Sequence, residues 1–226
     1  MKIFADGADL ATIREMAPLV DGFTTNPSLM RKAGVTDYEK FAREAISIAE
    51  GKPISFEVFA DDHAAMYVQA TKISKWGPNV YVKIPVVNSV GETSAPIVQA
   101  LSTSGVSVNV TAVMTLEQVM DVADVLGAAP AIISIFSGRI ADSGRDAEDV
   151  VEQSMLYVEK ESIEILWASP REMFNVKQAE RSGADIITLP PDMIKRLDGF
   201  GRDLDQYSRQ TVAEFRRDAL ASGFSI

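Results

Sequence analysis

The sequence predicts an α/β fold: a single-domain (β/α)8 barrel over residues 1–226, with one extra helix at its C-terminal end. Three observations carry that prediction. Eight short runs rich in β-branched and aromatic residues recur at spacings of about 20 to 32 residues. Amphipathic stretches of helical period separate them. Seven runs in succession also place polar residues near their C-terminal ends, where barrels of this architecture build sites.

The strand candidates in order are KIFAD (2–6), GFTTN (22–26), ISFEV (54–58), VYVKI (80–84), VSVNV (106–110), AIISIF (131–136), IEILWAS (163–169) and DIITL (185–189). Between them DYEKFAREAISIAE, DHAAMYVQATKISKW, SAPIVQALSTSG and DAEDVVEQSMLYVEK repeat apolar residues at three- and four-residue steps, and several of the helical stretches end at glycine. RDLDQYSRQTVAEFRRDALAS forms a further helix after the eighth strand. Eight βα units are the number that closes a TIM barrel. A doubly wound sheet uses fewer strands and a glycine-rich first turn. Here the first turn reads DGAD, and neither a Gly-x-Gly-x-x-Gly nor a P-loop motif occurs.

Composition narrows the function classes. A hydrophobic fraction of 46% in 226 residues supports one sizeable core. With 32 acidic against 22 basic residues the net charge is −10, which argues against a nucleic-acid surface. An anionic substrate then needs arginines placed locally. Zero cysteines and the single His63 leave no disulfide, no thiolate chemistry and no histidine-rich metal site. MKIFADGAD meets acidic residues too early for a signal peptide, and no apolar run approaches a membrane span. The expectation is a soluble, cytoplasmic protein with no membrane partner.

Near the strand ends stand Asp6, Asn26, Glu57, Lys83, Asn109, Ser134 with Phe136, and Ser169. With a period of two, Asn26 shares a face with Thr24, Glu57 with Ser55, Lys83 with Tyr81, and Asn109 with Ser107. Lys83 is the most telling. It sits inside NVYVKIPVV, and lysine is rarely buried without a partner. Singly, each residue has a bland explanation: a snorkelling lysine, a helix-capping Asp6, a turn-shaping Asn26 before Pro27. At matched depth on successive strands they point inward together. A neutral lysine amine condenses with a ketone to an iminium ion, an electron sink that lets an adjacent C–C bond break. Apolar neighbours favour the neutral amine and nearby carboxylates favour the cation, a balance the sequence leaves open. Asp6 and Glu57 are the candidates for moving protons.

These segments resemble the transaldolase family in its short, single-domain form, which includes fructose-6-phosphate aldolase. FADGAD resembles the family's opening Asp motif, and GFTTNPSL (22–29) its most characteristic segment. ISFEV, YVKIP, VNVTAVMT (108–115), IFSGRIAD (135–142) and ASPREM (168–173) follow in family order, from residue 3 to about residue 195. The resemblance implies a Schiff-base mechanism without metal or organic cofactor. Lys83 is then the Schiff-base lysine and Asp6 the acid/base at the cleaved bond. Glu57 acts with Thr111 through a bound water. Thr24, Asn26 and Asn109 hold substrate hydroxyls, in a cavity to which Ser134 and Phe136 also belong. Arg139, Ser169 and Arg171 bind a terminal phosphate. Family transaldolases tend to carry Glu and Phe at positions 57 and 136, where aldolases carry Gln and Tyr. Glu57 and Phe136 thus imply transfer of a dihydroxyacetone unit between sugar phosphates, as in the pentose phosphate pathway, with release of free dihydroxyacetone as the alternative.

The sequence also departs from the family pattern. Gly7 replaces the usual Thr, Ile135 and Ser137 flank Phe136 in place of Pro and Val, and Pro170 and Glu172 flank Arg171. Most of these changes fall on the segments for the substrate's far end, so another sugar, with a different anionic group or none, is a further alternative. The resemblance implies a homo-oligomer, a ring-shaped decamer of two pentamers, with Phe215, Leu220 and Phe224 of the last helix as anchors on a neighbouring subunit; packing of that helix against its own barrel is the equal alternative.

Overall fold

The computed structural model describes residues 1–223. Eight parallel strands close into one barrel in sequence order. They are β1 (Lys2–Asp6), β2 (Gly22–Thr24), β3 (Ile54–Glu57), β4 (Val80–Pro85), β5 (Val108–Val113), β6 (Ala131–Ile135), β7 (Ile163–Trp167) and β8 (Ile186–Leu189). The helices are α1 (Leu10–Met16), α2 (Pro27–Lys32), α3 (Tyr38–Ile48), α4 (His63–Ile73), α5 (Ala95–Thr103), α6 (Leu116–Val125), α7 (Ser137–Asp142), α8 (Ala147–Tyr157), α9 (Asn175–Arg181), α10 (Pro191–Lys195) and α11 (Leu204–Ser222). The predicted TIM barrel with its C-terminal helix is what the chain forms.

Local chemistry starts the helices where the strands end. Asp9, Asp37, Asp62 and Asp146 accept a first-turn backbone N–H from N-cap positions, and Thr115 with Gln118 makes a full capping box. β2 is shorter than the sequence suggests. Thr25 turns its hydroxyl to the Ser55 carbonyl at 2.8 Å, and Asn26 caps α2 by accepting the Leu29 N–H at 3.0 Å. β5 begins two residues later than VSVNV implies and runs on to Val113, with a register shift against β6 between Val110 and Val113. Ala112 sits in that bulge at φ 60°.

Cross-strand register sorts the interior into layers. Asp6 pairs with Thr24 and Thr24 with Ser55, while Glu57 pairs with Lys83 and Lys83 with Asn109. An apolar cluster of Phe4, Ile132, Leu166, Ala168 and Ile186 packs inside the barrel, reaching from Phe4 below Asp6 up to Leu166 and Ala168 at the cavity, with Tyr81 and Phe136 packed against it. Gly22 makes room for this plug: a Cβ there would stand 2.6 Å from the Phe4 ring. The alternate residues, such as Phe56 and Trp167, are equally buried. Phe56 faces Tyr38, Phe41 and Trp76 of the helical layer edge-on.

The chain divides into two compact units, Met1–Ile194 and Lys195–Ile226. The first is the barrel. The second holds a 3-10 turn (Leu197–Gly199) and α11, which Asp203 caps and Gly223 ends in the left-handed region. Within it the Arg202 guanidinium lies 4.5 Å from the Tyr207 ring centre. No α11 residue is buried, and Leu204, Val212, Phe215 and Leu220 are among the exposed apolar side chains. Phe224 lies outside the described residues. Among the described residues no helix is long and apolar enough to cross a membrane.

Candidate active site

A cavity of about 530 Å³ opens at the C-terminal ends of the strands. Asp6, Thr24, Asn26, Glu57, Lys83, Thr111, Ser134, Phe136, Arg139 and Ser169 all line it. Ten of the twelve residues singled out in the sequence are thus gathered from β1 to β7. The other two lie elsewhere. Asn109 is fully buried beneath the wall, where its amide donates to Ser55 Oγ at 3.0 Å and its carbonyl accepts from Ser134 Oγ at 2.7 Å. Arg171 does not line the cavity and pairs with Asp142.

Lys83 is only 6% exposed, so its amine is held in a nearly dry place. Nζ donates to the Thr25 carbonyl at 3.1 Å and stands 3.5 Å from Glu57 Oε2. Glu57 is partly buried, and burial pushes its carboxyl above the ordinary value of 4.5. The Lys83 charge and hydrogen bond oppose that rise, and the Asp6 charge adds to it. Asp6 is also raised, by burial first, against the pull of Lys83 and of the Thr24 hydroxyl. Two carboxyls displaced upward beside one amine can each take up and return a proton nearer neutrality than a solvated acid. The Glu57 backbone is held in place: the Tyr38 hydroxyl donates to its main-chain carbonyl at 2.9 Å.

Thr24 Oγ1 donates to Asp6 Oδ1 at 2.9 Å and lies 2.6 Å from Thr188 Oγ1. A hydroxyl has one proton, so Thr188 is the donor in the second contact and the chain runs Thr188 to Thr24 to Asp6. Across the cavity, Thr111 Oγ1 is buried without a hydrogen-bond partner among the described residues, in a polar wall with Glu57 and Lys83. Such an atom suits a bound water or a substrate hydroxyl. Backbone strain concentrates here too. Ala112 and Ser169, both lining the cavity, hold φ of 60° and 63°.

Gly138 completes the far end. A Cβ on it would stand 1.6 Å from the Ser169 main-chain oxygen, so only glycine lets α7 approach the loop after β7 this closely. Sequence reasoning named neither Gly138 nor Ala112, Ser28 or Thr188, the last three of which line the cavity. Thr188 was accessible from the alternation of DIITL; a glycine's neighbours and a bulge carry no residue signature. Among the described residues no cluster of three or more His, Asp or Glu is placed to hold a metal ion.

Fold and site together define a TIM barrel with a lysine and two carboxyls at the C-terminal mouth. Comparisons with known proteins make the assignment specific. Residues 3–225 match the family model described as Transaldolase/Fructose-6-phosphate aldolase. The chain is 38% identical over 201 residues to a probable transaldolase of Novosphingobium aromaticivorans, covering 87% of this chain and 88% of that protein. It is 35% identical over 201 residues to a probable transaldolase of Methanococcus maripaludis, with 87% and 89% covered. Among solved structures a mutant mandelate oxidase superposes with a TM-score of 0.60 at 17% identity, covering 96% of this chain and 74% of that one, a likeness of fold alone. The chain belongs to the transaldolase/fructose-6-phosphate aldolase family, and is an enzyme of the transaldolase/aldolase class.

Proposed function

We propose that this protein is a Schiff-base transaldolase that moves a dihydroxyacetone unit from a ketose phosphate, such as fructose 6-phosphate or sedoheptulose 7-phosphate, to an aldose phosphate. The observation that carries the reading is the nearly buried Lys83 amine, 3.5 Å from Glu57, in a cavity that Asp6 also lines. Lys83 Nζ attacks the ketose carbonyl to form a carbinolamine. Glu57, with Thr111 holding a water, delivers the proton with which the hydroxyl leaves as water. The iminium ion accepts the electron pair of the C3–C4 bond while Asp6 removes the proton of the C4 hydroxyl. The aldehyde departs and a three-carbon enamine stays on Lys83. Attack of that enamine on an acceptor aldehyde, with Asp6 returning the proton, and hydrolysis of the new iminium complete the transfer.

In this reading Thr24 and Asn26, which line the cavity, take substrate hydroxyls, and Arg139 with Ser169, on the same wall, takes the anionic end. Phe136 offers no hydroxyl to protonate the enamine, which favours transfer over release of free dihydroxyacetone. The exposed apolar residues of α11 support a homo-oligomer, with Phe215 and Leu220 as anchors on a second copy; a monomer by light scattering would refute that.

Intact mass after fructose 6-phosphate and sodium borohydride tests the chemistry. A reduced three-carbon adduct is expected on the wild type and none on Lys83→Met. Absence of any adduct across ketose donors, with the protein folded, would overturn the mechanism. With the adduct in hand, turnover of fructose 6-phosphate without acceptor, at rates matching transfer, would select the aldolase reading.

A further inference from the structure

The two guanidinium groups expected at the far end of the substrate are treated differently by the fold. Arg139 lines the cavity. Arg171 Nε donates to Asp142 Oδ1 at 3.0 Å and its Nη2 donates to Oδ2, a two-pronged grip on one carboxylate. The main chain of Arg171 is held as well, its N–H donating to Asn175 Oδ1 at 2.6 Å. Asp142 stands one helical turn after Arg139 on α7, and its carboxyl is held below the usual range by the hydrogen bond from Arg171 and by the charge of Arg139. Arg171 Nε is 3.4 Å from where a Cβ on Gly138 would sit, so it lies against the first turn of that same helix.

Fold stability does not explain Asp142. A carboxylate in the last turn of a helix faces the negative end of the helix dipole. The Asp142–Arg171 pair is also about half exposed, where ion pairs add little. What the carboxylate does is occupy the fork. Planar, two-oxygen recognition is the mode by which arginine takes a phosphate or a carboxylate, and Asp142 already fills it. With Asp142 between them, two positive charges act as one, and the exposed Glu172 beside Arg171 offsets more.

We propose that Asp142 is a specificity-determining residue: it withholds Arg171 from the anionic end of the substrate, so a terminal phosphate is held by Arg139 without the second arginine. The substrate class this favours is ketoses whose far end carries a weakly held phosphate or a neutral hydroxyl. The inference rests on the Schiff-base reading for the reaction, but its test does not.

The probe is inorganic phosphate, titrated by calorimetry into the wild type, Asp142→Asn, Arg171→Ala and the double variant, with melting curves to confirm folding. Asp142→Asn is expected to tighten phosphate binding about three- to ten-fold, the range an exposed bidentate pair and a gained charge-assisted contact support. Arg171→Ala is expected to change the wild type less than about two-fold and to abolish the gain in the double variant. In steady-state assays the same gain falls on KM for fructose 6-phosphate, with no matching shift for fructose. Unchanged phosphate affinity in Asp142→Asn overturns the proposal. So does an Arg171→Ala loss as large in the wild type as in the Asp142→Asn background. Phosphate binding needs no lysine chemistry, so a missing borohydride adduct reports on the mechanism alone.

Discussion

Replacing Gly138 with alanine sets two physical effects against each other with opposite signs. Gly138 lies in the first turn of α7, where intrinsic helix propensity alone makes alanine better by about 1 kcal/mol. The structure opposes that gain. The added Cβ would stand 1.6 Å from the main-chain oxygen of Ser169 and 2.8 Å from its carbonyl carbon. Ordinary contact begins at about 3.4 Å, so helix and loop must part by about 1.8 Å. Neither partner moves freely. Ser169 is held at φ 63°, and the next residues are pinned through Asn175, which accepts from the N–H groups of Arg171 and Glu172. Overpacking against backbone costs about 3 kcal/mol, which leaves a net loss of about 2 kcal/mol. For a chain of this size that is a fall in Tm of about 4–8 °C. The shift also carries Arg139 and Ser169 off the cavity wall by more than an ångström, worth about 100-fold in kcat/KM. Thermal melting and transfer assays on Gly138→Ala read both numbers. Gly7→Ala is the control, because nothing lies within 4 Å of a Cβ there. A Gly138→Ala protein that melts higher than wild type at full activity would show that propensity wins and that the close approach of α7 to the loop is not rigid.

Other expectations follow from the same site. Glu57 has a carboxyl raised by burial, so the folded protein holds its proton more tightly than the unfolded chain; stability from this group is complete below about pH 4.5 and is lost as pH rises through the higher folded value. Glu57→Gln should therefore melt above wild type at pH 7 and lose that advantage near pH 4, while its adduct-forming rate collapses; equal melting at both pH values would refute the raised carboxyl. Ala112→Val places a β-branched residue at φ 60° and should cost about 2 kcal/mol or more in urea unfolding, whereas Ala112→Gly stays within about 1 kcal/mol of wild type. Asn109→Ala orphans Ser55 and Ser134 in the core and should cost about 2–4 kcal/mol, with a larger effect on melting than on KM; the reverse pattern would place Asn109 in direct contact with substrate.

Much of this architecture was legible in the sequence because barrel interiors obey a simple period. Asp6, Glu57 and Lys83 fall on inward positions of β1, β3 and β4, and a buried amine sharing one cavity with two carboxyls has few structural uses. Motif order added Arg139, which spacing alone does not mark. Three features were hidden for physical reasons. Asn26 leaves the strand because its side chain caps α2, a competition that a run such as GFTTN does not reveal. The β5 bulge is a backbone event at an alanine, a residue with no preference for the left-handed region. The diversion of Arg171 depends on Asp142, 29 residues earlier in the chain. Only the approach of α7 to the loop after β7 makes those two neighbours.

The apolar plug under the site has a kinetic consequence. Phe4, seated in the space that Gly22 vacates, helps to pack the barrel interior below Asp6, and a barrel packed in this way is a filled core and not a pore, so the cavity opens at the C-terminal mouth. On the proposed transfer, the aldehyde released leaves by the mouth through which the next one arrives, and Arg139 lines the cavity that both occupy. On the proposed Schiff-base transfer such a site works by turns: the first product vacates before the second substrate is admitted, initial-rate plots are expected to give parallel lines, and each aldehyde is expected to compete with the donor for unmodified Lys83.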